Sequence, residues 1–445
     1  MKKVRIVLSV VFVLALIGSW GIVVKNNVES KESYKKSIAN GDKWTQKKLY
    51  DRAIDEYEKA IKYKNTEATW DKLLNAYKKR GDEQDIYGYE AVEEYVEKLK
   101  EAVKKDKNNE KRVIELAEIY INEDAYENAY KCLNEAYKNG IKSKKITELI
   151  TKVKYAYDIQ SNGYDDFYSY NNGKYVVKNG NLWGLIDGKG QMDTNLNYQY
   201  ISMIGDNSLR IKTINNESRL FNEDGKVLGI FDFPVMDAGM YSEGLIAIRK
   251  DEKYSYYDST GKKKFGEYDF AGTFKNGMAA VKDGTKWKFI NTEGKVKKEC
   301  DWDEIVLDNK GYYINNDVII AKKNEKYEMY NSKFKKIGKF QCDELDMSTD
   351  EGIFAFKVNE KWGFVNSEGK IIIKPEYDEA LSFSNGLAAV CKNEKWGFIT
   401  EDNKLVIDYA FDGADYFNDN GVCFIKENNP YDEQGYLWMI LKLKV

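Results

Sequence analysis

The stretch KWGFVNSEGK at residues 361–370 recurs as KWGFITEDNK at 395–404, and weaker copies run back to residue 182. Self-similarity at a fixed period decides architecture before any single residue is read for chemistry. Aligned on the position that opens each copy, the units begin at Trp183, Ser218, Tyr254, Trp287, Tyr327, Trp362, Trp396 and Tyr436, which gives eight units of about 35 residues, within the range of repeat arrays. Ten positions upstream in most of them stands a glycine (Gly173, Gly244, Gly277, Gly352, Gly386), followed by an apolar run such as LIAI, MAAV or LAAV. YDEALSFSNG (377–386) and YDFAGTFKNG (268–277) match in length and in their Tyr-Asp, Ala, Phe and Asn-Gly positions. The repeat is therefore a whole unit.

Asn-Glu-Lys before the aromatic and Ser-Glu-Gly-Lys after Phe-Val-Asn are turn residues that flank short β-branched and aromatic segments. A unit reads as four antiparallel strands: YDEALSF, GLAAVCK, KWGFVN and KIIIKP. A strand buried on one side alternates, yet the two positions after the aromatic-Gly pair are both apolar or aromatic in every copy, as at Phe364/Val365 and Phe398/Ile399. Each sheet is thus expected to be covered on both faces. The Gly gives way to Arg219, Ser255, Lys288 and Glu328, which places that position at solvent or an edge. Small residues in the second strand (Ala279, Ala280, Ala388, Ala389) suit the strand nearest a crowded axis. Stacked blades closing into a propeller are the leading expectation, and an open β-solenoid is the alternative. The last unit lacks a fourth strand, so closure needs one from elsewhere.

Over roughly 164–445 the chain resembles the WG-repeat family, also called KWG repeats, on LWGLIDGKG, KWKFINTEGK, KWGFVNSEGK and KWGFITEDNK. The copies at 218, 254 and 327 depart from the pattern by losing both Trp and Gly. The resemblance implies a β-repeat module of bacterial proteins, usually assigned no enzymatic activity, and it transfers no catalytic residue. Trp183, Trp287, Trp362 and Trp396, with Gly184, Gly363 and Gly397, are expected to be structural repeat positions. Tyr replaces Trp at Tyr254, Tyr327 and Tyr436, which suits blade packing better than sugar stacking.

Upstream the period changes. Gly41, Trp44, Ala53, Tyr57 and Ala60, then Ala117, Tyr120, Ala129, Leu133 and Ala136, follow the spacing of a 34-residue helix-turn-helix unit, with a looser middle copy around Trp70, Leu73, Tyr77, Ala91 and Tyr95. Residues 30–158 thus resemble TPR repeats, and Ile146, Leu149, Ile150 and Val153 trace the apolar face of a capping helix. At the start, MKKVR precedes an uncharged apolar run from Ile6 to Val24. That run is long enough to span a bilayer, so residues 1–27 read as a signal anchor, with Lys2, Lys3 and Arg5 inside and everything after residue 25 outside. Cleavage of a signal peptide and secretion is the competing expectation. The fold class is α + β multidomain: anchor, helical array and all-β repeat domain.

Composition removes several function classes. A net charge of −3 with interspersed signs offers no footprint for nucleic acid. The chain has no histidine, which excludes Ser-His-Asp and Cys-His catalysis and histidine-ligated metals. Its five cysteines are far apart, without the spacing of a zinc site or disulfide framework, and Cys423 aligns with the small buried position of Ala388. Asp269, Asp303, Asp343, Asp378 and Asp412 recur in register, which fits turn chemistry better than a ring of cation ligands. Two insertions break the period, DNKGYYINN after Leu307 and ENNPYDEQG before Tyr436, and nominate Tyr312, Tyr313 and Tyr431 as binding residues on rim loops. The functional expectation is a membrane-anchored, outward-facing, non-catalytic scaffold without cofactor or metal, binding an unidentified protein or peptide. The alternative is a surface protein that binds cell-wall glycan.

Overall fold

The computed structural model describes residues 28–83, 88–171, 173–349, 351–428 and 435–445. The apolar run 6–24, and with it the expected anchor, lies outside the described residues. Among those described, no helix is long and apolar enough to cross a membrane. The chain divides into two units at Val153/Lys154.

The first unit contains seven helices among the described residues: α1 (28–46), α2 (Tyr50–Tyr63), α3 (Glu67–Glu83), α4 (Gly88–Lys105), α5 (Glu110–Asn122), α6 (Tyr126–Lys138) and α7 (Lys144–Lys154). Small residues let successive helices approach: Ala53, Ala60, Ala117 and Ala129 have no exposed surface. A Cβ on Gly41 would sit 2.4 Å from the Tyr57 ring, so only glycine fits there. The odd-numbered helices are tied side by side. Lys72 of α3 pairs with Asp42 of α1 at 2.5 Å, the buried Arg112 of α5 bonds Asp71 and the Glu67 carbonyl of α3 at 2.9 Å, and Lys145 of α7 pairs with Glu118 of α5 at 3.3 Å. Ile146, Leu149 and Val153 bury the apolar face of α7 against α5 and α6, while Ile150 is half-buried.

The second unit is an eight-bladed β-propeller. Blades 1 to 8 span 166–198, 200–231, 238–268, 270–300, 304–342, 344–377, 379–411 and 413–443. Strands pair in sequence order as antiparallel neighbours. The first strand is short, as at Glu379–Ala380, and in blade 3 it shrinks to a single bridge between Ala238 and Ile248. The strand missing from the last unit is Tyr157–Tyr164, which pairs antiparallel with Tyr436–Leu443 and so completes blade 8 with chain from ahead of blade 1. The β-domain therefore reaches back beyond the expected start at 164.

Each of the eight seams between neighbouring blades holds one buried apolar cluster. The seam that closes the ring sets Tyr164, Val422, Phe424 and Ile440 against Tyr175, Val177 and Ile186 of blade 1. Both faces of the inner strands are consumed by seams, which is why the sequence shows no alternation there. The Ala-rich strand is the second of each blade, not the one nearest the axis. Its small side chains are buried between neighbouring blades, whereas the short first strand leads into the loops that line the centre.

The glycine of the Trp-Gly pair also departs from expectation. Gly184, Gly363 and Gly397 are buried, and a Cβ on Gly363 would lie 2.6 Å from the Ile373 carbonyl oxygen. At all three the register to the fourth strand shifts across the glycine, so a bulged backbone presses where a side chain would stand. Where Lys288 or Arg219 replaces it, the ladder runs regularly through that position. In the last unit the strand is longer and Trp438, rather than Tyr436, holds the register position of the motif aromatic, opposite Lys426.

Two outcomes test this account. Gly363→Val is expected to destabilise the ring by about 1–3 kcal/mol, and Lys288→Val at the unbulged equivalent by clearly less, as read by chemical denaturation. Deleting residues 157–164 is expected to cost the ring its cooperative thermal transition; an unchanged melting curve would contradict closure by that strand.

Candidate functional site

The loops joining first and second strands share one face of the ring, and each bonds the next blade. Asn171 donates to the Ile204 carbonyl, and Asp206 N–H to the Tyr241 carbonyl at 2.7 Å. Glu243 accepts from Gly277 N–H at 3.0 Å, and Thr273 donates to the Lys310 carbonyl at 2.9 Å. Asn315 donates to the Met347 carbonyl at 3.3 Å, Thr349 to the Phe383 carbonyl at 2.7 Å, and Ser384 to the Phe417 carbonyl at 2.8 Å. Asn418 closes the belt with a 3.1 Å bond to the Gly188 carbonyl. Most of these bonds end on backbone atoms, so the remaining side chains of the loops are left for other work.

Loops of blades 1, 5, 6, 7 and 8 converge on a cavity of about 210 Å³. Its wall is polar, with Asp308, Lys310, Ser348, Asp415, Tyr416 and Asp419 among its residues. Asp415 keeps some surface toward the cavity, yet it lies so deep in the ring that lost solvation, with the nearby Asp346 charge, pushes its carboxyl up to about 7. The Tyr416 backbone N–H offsets part of that shift. Tyr416 Oη donates to Asp346 Oδ2 at 2.7 Å, and burial raises the Tyr416 hydroxyl well above its usual range. Burial also raises Asp308, although Lys310 and Tyr312 N–H groups both donate to its Oδ1 at 2.9 Å.

The DNKGYYINN insertion does reach this cavity, through Asp308, Asn309, Lys310 and Asn315 rather than through its tyrosines. Tyr313, expected on a rim loop, is 1% exposed and packs edge-on to Phe289 at 5.0 Å in the seam of blades 4 and 5, so it is a core residue. Tyr312 is half-buried, with Lys275 Nζ 4.5 Å from its ring centre. Tyr431 lies outside the described residues. Trp183 and Trp287 are buried, and Trp362 and Trp396 are half-buried against the clusters of the next seam.

The recurring aspartates are consumed by the repeat. Lys361 and Lys395, the lysines that open two motif copies, pair with Asp378 and Asp412, each immediately ahead of the following blade, at 2.5 Å, and Lys253 and Lys326 pair likewise with Asp269 and Asp343. The second carboxylate oxygen accepts a backbone N–H some fifteen residues on, as from Asn393 to Asp378 at 2.8 Å, so the turn served is the hairpin of strands two and three and not a local one. The lysine partner and this N–H hold Asp343 and Asp378 below the usual carboxylate range. Among the described residues no group of three His, Cys, Asp or Glu could hold a metal ion. Cys423 has no exposed surface, beside Ala414 and Leu441.

The helical unit carries a trough. A cavity of about 410 Å³ among α3, α4 and α5 adjoins one of about 380 Å³ between α5 and α7, and the two share Glu118 and Asn122.

The protein family described as WG containing repeat matches residues 163–183, 254–287, 362–396 and 396–431, so the ring carries that repeat. No curated protein matches the chain. Among solved structures it is similar to Kluyveromyces lactis Hsv2, at 8% identity over 63% of this chain and 98% of that one, with a TM-score of 0.37. A eukaryotic initiation factor is similar at 11% identity over 65% and 88%, with a TM-score of 0.42. The TPR2B-domain:pHsp70 complex of yeast Sti1 is similar at 20% identity over 27% and 96%, with a TM-score of 0.20.

A raised carboxyl pKa means that the folded state holds its proton longer than the unfolded chain does, so stability falls as pH rises from about 4 through 7. Asp415→Asn removes that term. Its melting temperature is expected to exceed that of the unaltered protein by a few degrees at pH 8 and by clearly less at pH 5; equal gains at both would contradict the assignment.

Proposed function

We propose that this chain is a non-catalytic interaction scaffold, held at the membrane by the run 6–24, with a TPR-like helical stem and the ring outside the cell. One observation carries the reading. Five loops, distant in sequence, bring polar side chains that include Asp308, Lys310 and Asp415 to one cavity, while the repeat-encoded lysines, aspartates and glycines hold blades together. Function carried by a binding face of variable loops on a rigid frame is the usual division of labour in repeat proteins. The partner is a protein or peptide that meets the loop face, and the trough along α3, α5 and α7 offers an extended segment a second surface.

The test compares residues 28–445 with Lys310→Ala/Asp415→Ala in capture from surface extracts, followed by titration of the captured protein. The double substitution is expected to weaken binding at least tenfold, about 1.4 kcal/mol. Undiminished capture would overturn the cavity's role, and saturable binding of purified wall polymer by the ring alone would move the glycan reading ahead.

A further inference from the structure

Register defines two second-strand positions that face the preceding blade. The first lies opposite the residue after the motif aromatic and is apolar in seven blades, as at Val281, Phe356 and Ile425; in blade 2 it is Lys212. Two residues earlier the other blades carry apolar or aromatic residues such as Ala279, Ile319 and Phe354; blade 2 carries Arg210. Blade 2 thus sets two cations, on one face, where the repeat sets core.

Both are buried, Lys212 at 8% exposure and Arg210 at 4%. The apolar cluster of this seam is correspondingly the smallest of the eight, with five buried residues. Arg219 stands directly across the strand pair from Lys212, a like-charge juxtaposition that a sheet ordinarily avoids. No ion pair joins Arg210 or Lys212 to a carboxylate among the described residues. Asp193 of blade 1 acts on both through space, but its carboxylate is bound to Lys174 at 2.9 Å. Arg219 is held by Glu217 at 2.7 Å.

Donors are left over. Arg210 gives one Nη1 bond to the Ser208 carbonyl at 2.7 Å, while its buried Nε has no acceptor among the described residues. Lys212 Nζ has the Tyr198 hydroxyl at 3.3 Å and sits 4.5 Å from the Tyr198 ring centre and 5.5 Å from that of Phe221. An ammonium has three donors, so two remain. Lost solvation and the Arg210 charge push Lys212 down to about 8, as for a cation short of counter-charge. Lys212 also lines a cavity of about 180 Å³ with Tyr198, Asn215, Glu217, Arg219 and Phe221.

Buried charges in proteins are paired or engage a ligand. We propose that the seam between blades 1 and 2 binds an oxyanion, a phosphate or carboxylate group of a small molecule, through the Lys212 ammonium, with Arg219 also in the cavity lining and Arg210, outside that lining, reinforcing the field. The site is separate from the loop-face cavity and independent of any protein partner there.

The experiment titrates inorganic phosphate and, in a parallel arm, acetate into the full-length protein at pH 7, with chloride at matched ionic strength as the screening control. Calorimetry gives the affinity and thermal denaturation the ligand-dependent shift. Saturable binding in one arm, weakened at least tenfold by Lys212→Met and severalfold by Arg219→Gln, is the expected result, and the saturating arm identifies the anion class. Lys212→Met restores the apolar character of the other blades, so it is expected to fold and to melt higher without ligand. Lys250→Met, altering a lysine over Phe233 outside the cavity, is expected to bind as the unaltered protein does. Absence of saturable binding in both arms, or equal binding by Lys212→Met, overturns the proposal.

Discussion

The antiparallel pairing of Tyr157–Tyr164 with Tyr436–Leu443 joins residues 274 to 286 positions apart and converts a string of units into a ring. Without it blade 8 would present an unpaired edge and the seam between blades 8 and 1 would lose Tyr164. Everything placed at the centre depends on this closure. The belt of loop hydrogen bonds ends with Asn418 reaching Gly188, and the cavity is lined by residues of blade 1 together with residues of blades 5 to 8.

Within that closed frame, the motif is a device for joining neighbours. The aromatic packs into the following seam, the lysine before it reaches an aspartate immediately ahead of the next blade, and the glycine after it makes room for a bulge. Exposed ion pairs of this kind contribute little individually, so the apolar seams carry the stability and the lysine–aspartate pairs fix register around the ring. Where blade 2 has lost its aromatic, hydroxyls substitute: Ser218 Oγ accepts from the Val235 N–H at 2.7 Å, and Thr213 donates to the Val235 carbonyl at 2.8 Å. Among the described residues neither Lys212 nor Arg210 pairs with a carboxylate, which distinguishes them from an ordinary degenerate repeat.

Period, strand order and two-sided burial were legible because they are local or recur at fixed spacing. Ala53, Tyr57 and Ala60 announced a helix packing face in the same way. Other features escaped because their partners are distant in sequence. YDIQSNGY has only one buried residue and no motif, so nothing local marks it as the closing strand. The glycine at 363 looked dispensable because other copies replace it, but its role depends on a bulge in the adjoining strand. Tyr313 looked like a loop residue because the insertion hid that its ring turns into a seam. The cavity itself combines polar residues from five loops; only the closed ring brings Asp308 and Asp415 to one cavity.

Closure is best tested by a covalent staple across the joining strands. Asp158 and Lys442 are direct cross-strand partners, and such pairs stand about 4.5–5.5 Å apart at Cα, within disulfide range. Asp158→Cys/Lys442→Cys is expected to oxidise readily to an intramolecular disulfide and to raise the melting temperature of the ring, with loss of the gain on reduction. Failure to form that bond under oxidising conditions in folded protein would contradict the closed ring.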